Sequence, residues 1–213
     1  MEKQRMIMPE VQVFSKVEFD APQKRVGILG GTFNPPHFGH LMIADQVQSQ
    51  LGLDQVLFMP DNIPPHIDHK DAIDARHRLK MLHLCVDDNP KFGIEDYEIK
   101  RGGVSYSIDT MKALTQQHPE NQYYFIIGGD MVEYLPKWRE IDELIKLVQF
   151  VGVGRPGFHK RSQYPLLWVD VPETEISSTL IRQKVKNGCS IKYLVPDAVE
   201  QYITRRTYIV TEI

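Results

Sequence analysis

Short apolar runs alternate with amphipathic stretches along most of the chain, and this alternation predicts strands and helices in turn. The apolar runs predict five β-strands, over 25–30, 55–59, 92–95, 122–127 and 147–153. Apolar residues at helical spacing predict one helix that begins near Phe38 and ends at Gly52, and further helices over 73–87 and 107–117. Strands that alternate with helices in this way indicate βαβ units around a parallel sheet, which is an α/β fold.

The pattern predicts one domain, over 25–204, with a small helical part near its C-terminal end. Residues 1–24 form an N-terminal extension to which we assign no function, and residues 205–213 form a tail. Four apolar residues of the extension alternate loosely with polar ones, so an additional strand and an irregular segment both remain open there.

The composition is that of an ordinary globular protein and argues against several classes of function. Of the 213 residues, 42% are hydrophobic and 25% are charged, and the net charge of −3 lacks the basic excess of nucleic-acid-binding proteins. No apolar run approaches the roughly 18 residues of a membrane helix, and the N-terminal sequence lacks the apolar core of a secretory signal. Cys85 and Cys189 match neither a metal site nor a disulfide framework. We therefore expect a cytoplasmic protein without membrane or nucleic-acid partners.

The stretch GILGGTFNPPHFGHL, residues 27–41, carries the strongest indication of a ligand. Glycines end the first predicted strand, where they let a ligand approach the backbone, and His37 and His40 lie on one side of the next helix. A helix N-terminus presents unpaired N–H groups to anions, so phosphate contact is favoured over metal ligation. An HxxH without a third ligand is only a weak zinc signal. The stretch is neither the GxGxxG of dinucleotide-binding proteins nor a P-loop.

A second candidate, ISSTLIR at 176–182, begins a helix predicted over 177–186. Ser177 and Ser178 are both suitable N-caps, yet this helix contains no acidic residue, although its dipole favours acids in the first turn. An external anion could take that place, with Arg182 and the hydroxyls as donors. An ordinary capped surface helix is the alternative interpretation.

Two further groups of residues give weaker signals. The stretch GGDMVEYLPKW at 128–138 follows a predicted strand, so Asp130 could accept hydrogen bonds from ribose, while Tyr134 and Trp138 could stack on an aromatic ring. A locally basic region is most often a solvated surface but could hold a second anion; it contains Pro64, Pro65, His66, His69, Lys70, Arg76, His77 and Arg78. Ligands bind beyond the carboxyl ends of parallel strands, so the glycine pairs at 30–31 and 128–129 could border one crevice.

These motifs resemble those of a known family. GGTFNPPHFGHL together with the late ISSTLIR is similar to the nucleotidyltransferases that carry a T/HxGH motif and an [ST]xTxxR helix. The PPH segment, SYSIDT at 105–110 and IIGGDMVEYLPKW resemble the bacterial nicotinate-nucleotide adenylyltransferases, and the resemblance runs from about residue 25 to about residue 202. It implies a Rossmann-like, doubly wound parallel sheet of the nucleotidyltransferase (HUP) type. It also implies transfer of AMP from ATP to nicotinate mononucleotide, with magnesium (Mg2+) bound mainly through ATP phosphates, and it leaves a homodimer open.

The resemblance assigns roles by motif position. His37, His40 and Arg182 would be catalytic. ATP would be bound by Gly30, Gly31, Thr32, Phe33, His37, His40, Ser177, Ser178, Thr179 and Arg182. The acceptor would be bound by Ser107 near its carboxylate, by Trp138 on its pyridine ring, and by Gly128, Asp130, Tyr134 and Lys70.

The chain departs from the family pattern at three positions: Asn34, where Asp is frequent; Ile67, where Lys is frequent; and Ser107, where Thr is usual. The alternatives that remain are another enzyme of the superfamily, such as a phosphopantetheine adenylyltransferase, a nucleotide-binding regulatory module without catalysis, and a small zinc hydrolase built on His37 and His40.

Overall fold

The computed structural model describes residues 23–65, 72–154, 162–172 and 174–205. The strand left open near the N-terminus therefore lies outside the described residues. Within them, no helix is both long enough and apolar enough to cross a bilayer.

Six parallel strands form the central sheet, and this confirms the predicted Rossmann-like α/β class. Their order is β3-β2-β1-β4-β5-β6, which is the order of doubly wound nucleotide-binding sheets. The strands are β1 (Lys24–Gly31), β2 (Gln55–Pro60), β3 (Phe92–Ile94), β4 (Asn121–Gly128), β5 (Val148–Val153) and β6 (Leu166–Val169). Sequence analysis missed β6, a strand of only four residues. The strand order reverses between β1 and β4, so their carboxyl ends border the crevice in which such sheets bind ligands.

Eight helices are present in the described part of the chain. They are α1 (Phe38–Leu51), α2 (Ala75–Val86), α3 (Tyr97–Arg101), α4 (Ser107–Gln117), α5 (Gly129–Tyr134), α6 (Ile141–Leu147), α7 (Ser178–Lys186) and α8 (Asp197–Thr204). Helix α1 ends as predicted at Gly52, which adopts the left-handed conformation at φ 60°. Helices α3, α5 and α6 were not predicted, because five to seven residues carry too few turns to show a helical period.

Helices cover both faces of the sheet, and each face has its own apolar core. Ala44 of α1, Leu82 of α2 and Ile181 of α7 are buried against one face, while Ile108 of α4 and Leu144 of α6 are buried against the other. Because both faces are covered, the central strands are almost continuously apolar, which is the pattern that predicted them. In sheets covered in this way, ligands bind at the carboxyl ends of the strands.

Candidate active site

The turn between β1 and α1 brings the two motif histidines into direct contact. His37 is the N-cap of α1, and its backbone N–H donates to Nδ1 of His40 over 3.2 Å. The two imidazole rings stack with their centroids 3.7 Å apart, and Phe33 packs edge-on against His40 at 4.9 Å. An imidazole nitrogen that accepts a hydrogen bond carries no proton, so the neutral His40 ring carries its proton on Nε2. The N-terminal turn of α1 therefore holds His40 as a hydrogen-bond donor.

Gly39 gives the buried His37 ring the space that it occupies. A Cβ atom at position 39 would lie 3.0 Å from Nδ1 of His37, 3.1 Å from its Cε1 and 3.3 Å from Cγ2 of Thr174. These distances are shorter than ordinary contacts between carbon atoms, which lie at about 3.5–4.0 Å. A side chain at position 39 would therefore displace the ring.

Gly39→Ala should lower kcat about tenfold, because a small misplacement of a positioned group is enough to slow a reaction strongly. The melting temperature should change little, since alanine favours the helix and offsets part of the crowding. Initial-rate kinetics and thermal unfolding measure both effects, with Ser49→Ala on the exposed side of α1 as the control. An unchanged kcat would show that the position of His37 does not matter.

Helix α7 is bound directly to the turn between β1 and α1. The Ser178 hydroxyl donates to the Pro35 carbonyl over 2.8 Å, and Nη1 of Arg182 donates to the Asn34 carbonyl over 3.0 Å. Ser177 caps the helix by accepting from the Leu180 N–H. Two motifs that lie more than 140 residues apart in the chain therefore meet at one place. Helix α7 is capped, as the alternative interpretation expects, and it also contacts the turn that carries the histidines.

Arg182 also reaches the hydroxyl of Thr179, to which its Nη2 donates over 3.3 Å. The guanidinium thus lies between the N-terminal turn of α7 and the turn that carries the histidines. Its side chain is half-buried, and no acidic residue lies in the first turn of α7 or of α1. Two helix N-termini, a guanidinium, hydroxyls and an imidazole N–H make a set of donors that suits an anion with several oxygens.

Arg78 is buried beneath the turn between β1 and α1 and binds it by hydrogen bonds. This position corrects the interpretation of Arg78 as part of an anion-binding surface. Its side chain is 2% exposed, and its Nη1 donates to the carbonyls of Thr32 (2.9 Å) and Asp61 (2.8 Å). The Thr32 hydroxyl donates in turn to the Asp61 carboxylate over 2.8 Å. Burial raises the pKa of Asp61, and the hydrogen bond from Thr32 and the charge of Arg78 oppose that rise. Arg78 is therefore an anchor of the loops and is not available to a ligand.

The other members of the basic region do not form a described anion site. Arg76 is exposed and pairs with Asp74, and His77 contacts the hydroxyl of Tyr202 over 2.8 Å. His66, His69 and Lys70 lie outside the described residues.

The second glycine pair lies across the crevice at the end of β4. Gly128 is the N-cap of α5 and Gly129 begins that helix. Trp138 is half-buried and meets Phe125 and Phe150 edge-on, with ring centroids 5.7 and 6.0 Å away. A Cβ atom at Gly30 would lie 3.7 Å from the Phe125 ring, so Phe125 connects the end of β1 with Trp138.

The remaining acceptor candidates occupy three places around this edge. Tyr134 ends α5, and the Lys137 ammonium lies 4.4 Å from the centre of its ring. Ser107 is the first residue of α4. Asp130 is the second residue of α5, and its side chain lies outside the described part.

The described residues contain no group of three or more His, Cys, Asp or Glu side chains that could hold a metal ion. Nδ1 of His40 accepts from the backbone N–H of His37 at the N-cap of α1. This arrangement does not support the zinc-hydrolase alternative. The donors of the two motifs are groups that suit an anion.

A cleft of about 840 Å³ is lined by residues of α1, of the C-terminal end of α2 and of the segment before α7. Phe38, Gly39, Thr174 and Ile176 are among its lining residues. The side chains of His37, His40 and Arg182 do not line it, so we locate the anion site by the contacts between the motifs rather than by this cleft.

Sequence signals do not distinguish Arg78 from the exposed basic residues beside it, and they do not indicate Glu98, a buried carboxyl group on α3. Asp61 carried a usable signal, because it directly follows β2 at the same edge of the sheet as the glycine pairs.

Comparison with known proteins shows the family of this chain. Residues 28–184 match the cytidylyltransferase-like family. A probable nicotinate-nucleotide adenylyltransferase of Enterococcus faecalis is 60% identical over 184 residues, which make up 86% of this chain and 84% of that protein. The nicotinate-nucleotide adenylyltransferase of Bacillus subtilis is 52% identical over 180 residues, 84% of this chain and 95% of that protein.

The fold is also found among solved structures. Plasmodium falciparum nicotinic acid mononucleotide adenylyltransferase complexed with NaAD has a TM-score of 0.74 at 20% sequence identity, and the match covers 87% of this chain and 97% of that one. The chain therefore belongs to the cytidylyltransferase-like family and, within it, to the nicotinate-nucleotide adenylyltransferases, which are nucleotidyltransferase enzymes.

Proposed function

We propose that this protein transfers AMP from ATP to nicotinate mononucleotide, giving nicotinate adenine dinucleotide and pyrophosphate in NAD biosynthesis. The observation that carries the proposal is the junction of α7 with the turn before α1, where Ser178 and Arg182 donate to the carbonyls of Pro35 and Asn34. That junction supports the proposal because it brings the residues of both motifs together after β1, near the switch point of the sheet. The curated relatives carry the name of this activity.

The reaction needs positioned charge more than it needs a general base. A phosphate oxygen of the mononucleotide, already ionised at neutral pH, attacks the α-phosphorus of ATP. The new P–O bond forms as the bond between the α-phosphorus and the oxygen that bridges the α- and β-phosphates breaks. Pyrophosphate leaves with the negative charge. Nε2–H of His40 and the Arg182 guanidinium would donate to the triphosphate and stabilise that charge, while backbone N–H groups at the N-terminus of α1 would add to the field.

Magnesium fits this proposal as a companion of ATP. The donors of the two motifs are imidazole, hydroxyl and guanidinium groups, whereas Mg2+ prefers carboxylate and phosphate oxygens. ATP phosphates would hold the ion and the protein would hold the phosphates. The ion would help to neutralise the charge of the triphosphate.

The acceptor side rests on fewer contacts. We propose that Ser107 at the start of α4 lies near the nicotinate carboxylate, that Trp138 stacks on the pyridine ring, and that Asp130 faces ribose. The positions of α4 and α5 support this proposal. Both helices begin at the edge of the sheet where the glycine pairs lie.

A side-by-side assay tests the proposal. Purified protein with ATP and magnesium is offered nicotinate mononucleotide or nicotinamide mononucleotide, and both pyrophosphate and dinucleotide are measured. We expect a strong preference for the acid. N–H donors that are placed to bind a carboxylate would meet the NH₂ group of the amide, which offers them no acceptor. Equal use of both would keep the reaction and contradict our account of the carboxylate pocket. Reaction with neither would contradict the acceptor, and phosphopantetheine would be tested next.

A further inference from the structure

A buried carboxyl group on α3, Glu98, lies beneath the first turn of α4. Its side chain is 3% exposed, and its Oε1 accepts a hydrogen bond of 2.8 Å from the hydroxyl of Thr110. The Ser105 hydroxyl lies beside the same carboxyl group and opposes the rise of its pKa. Both hydroxyl residues are themselves buried, at 6% and 0% exposed for Ser105 and Thr110. The carboxyl group thus connects two points that flank Ser107, one on each side in the sequence.

Ser105 is also the junction between two loops at the open edge of the sheet. Its Oγ accepts from the Asn62 N–H over 2.9 Å, and its own N–H donates to the Ile63 carbonyl over 2.8 Å. The Asn62 side chain donates further to the Gly103 carbonyl over 3.0 Å. The loop after β2, which begins with Asp61, and the segment before α4 are therefore held together through Ser105.

The segment before α4 needs this external support. It begins with Gly102 and Gly103, both at φ 72°, a conformation that glycine adopts freely and other residues rarely do. Two consecutive glycines restrain the following residues poorly. The hydrogen bonds to Glu98 and Asn62 supply the restraint that the backbone itself does not.

A carboxyl group is a costly choice for a purely structural contact at this position. Burial raises the pKa of Glu98, and the nearby charge of Asp61 raises it further, while the two hydroxyl donors and Arg101 oppose the rise. An acid whose pKa is higher in the folded state than in the unfolded state destabilises the fold once it is ionised. A neutral side chain of the same shape would avoid that loss of stability.

We propose that Glu98 is a positioning residue for the acceptor site, which acts by fixing residues 105–110 and through them Ser107. This inference rests on the proposed function, since it takes Ser107 as a contact of nicotinate mononucleotide. Glu98 does not touch the substrate. It determines where the first turn of α4 presents its hydroxyl and N–H groups.

Glu98→Gln tests the inference by separating the two substrates. In the amide an NH₂ group replaces one of the two acceptor oxygens and the negative charge is lost, so the turn loses a hydrogen bond to a charged group. We expect KM for nicotinate mononucleotide to rise about tenfold, the effect of losing one such bond, with KM for ATP unchanged. Ser105→Ala removes the same connection from its other end and should give the same selective rise. The double variant should show no more than the larger single effect.

The matched control is Glu95→Gln, three residues earlier. Glu95 is also partly buried with a raised pKa, but its carboxylate accepts from the Tyr97 N–H over 3.0 Å and not from the α4 segment. Both KM values should stay at the wild-type level. Equal rises of both KM values in Glu98→Gln, or an unchanged KM for the mononucleotide, would overturn the inference. A wild-type enzyme that makes no dinucleotide from nicotinate mononucleotide would instead overturn the proposed function, and the inference with it.

Stability gives a second readout, which measures the cost of ionising the buried carboxyl group. Because the folded-state pKa of Glu98 lies above its ordinary value of 4.5, the folded state holds more protons than the unfolded state above that pH. Wild-type stability should therefore decrease, relative to Glu98→Gln, as pH rises from 4.5 through the raised pKa. Denaturant unfolding at pH 5 and at pH 8 measures this difference. A variant that is less stable than the wild type at pH 8, with its KM ratio unchanged, would mark Glu98 as structural only.

Discussion

His40→Ala should lower kcat by ~10²-fold or more, the scale expected for losing one preorganised donor to developing charge. The reason is the tautomer that the fold imposes. The His37 N–H donates to Nδ1 of His40, so the proton of the ring stays on Nε2. From there Nε2–H can donate a hydrogen bond to an oxygen of the triphosphate. Without the ring, the leaving pyrophosphate loses that donor while the mononucleotide loses none of its contacts.

His40→Asn separates catalysis from helix capping. The amide oxygen of asparagine can take the place of Nδ1 and accept from the His37 N–H, whereas nothing in asparagine reaches the position of Nε2. Loss of a cap costs about 1 kcal/mol, so His40→Ala should melt lower than wild type and His40→Asn should recover part of the difference. Both His40 variants should be equally inactive.

His83→Ala, at a half-exposed histidine on α2, is the control that should keep full activity. A folded His40→Asn enzyme with normal turnover would remove His40 from the mechanism.

Arg182→Ala should lower kcat/KM for ATP about 10²-fold, because it removes both a charge on the triphosphate and the bond that holds α7 to the Asn34 carbonyl. Arg182→Lys should recover only a small part of this loss. Lysine keeps the charge, but it cannot donate to the Asn34 carbonyl, to Thr179 and to a phosphate with one planar group. Initial rates at varied ATP concentration measure both effects.

Lys186→Ala is the matched control for Arg182, since Lys186 lies in the last turn of the same helix and is exposed. It should have wild-type kinetics. A loss of the same size in Lys186→Ala would mean that the general positive charge of α7 acts on the reaction, and not the placement of the guanidinium. KM for nicotinate mononucleotide should stay unchanged in both Arg182 variants, which distinguishes them from Glu98→Gln.

Local sequence signals were sufficient for the elements that are long and strongly patterned. The helix from Phe38 to its stop at Gly52, the α4 range and the four longer strands were all predicted within one or two residues. Each has either a full helical period or a continuous apolar run bounded by glycine or proline. Helices of five to seven residues and the four-residue β6 were missed for the opposite reason, because so few residues show no period.

The candidate site divides in the same way. The sequence predicts Ser177 as an N-cap and shows the absence of acids in α7, since both are local properties of the start of a helix. The sequence does not predict the role of Arg78. In the sequence it is one of several neighbouring basic residues, and only the fold shows that Arg76 is exposed while Arg78 is buried beneath the turn that carries Thr32. Helical position alone does not determine which basic side chain is buried, because that depends on the neighbouring loops.

The sequence by itself determined the class of the fold and the two motifs, because strand and helix periods and short glycine, histidine and serine signatures are properties of neighbouring residues. Only the tertiary structure decided that α7 binds the turn before α1, that Nε2 of His40 carries the proton, and that Glu98 lies beneath α4. Each of these depends on a contact between segments that lie far apart in the chain, or on which nitrogen of a ring meets a backbone N–H. Such contacts form only when the sheet has brought its strand ends together.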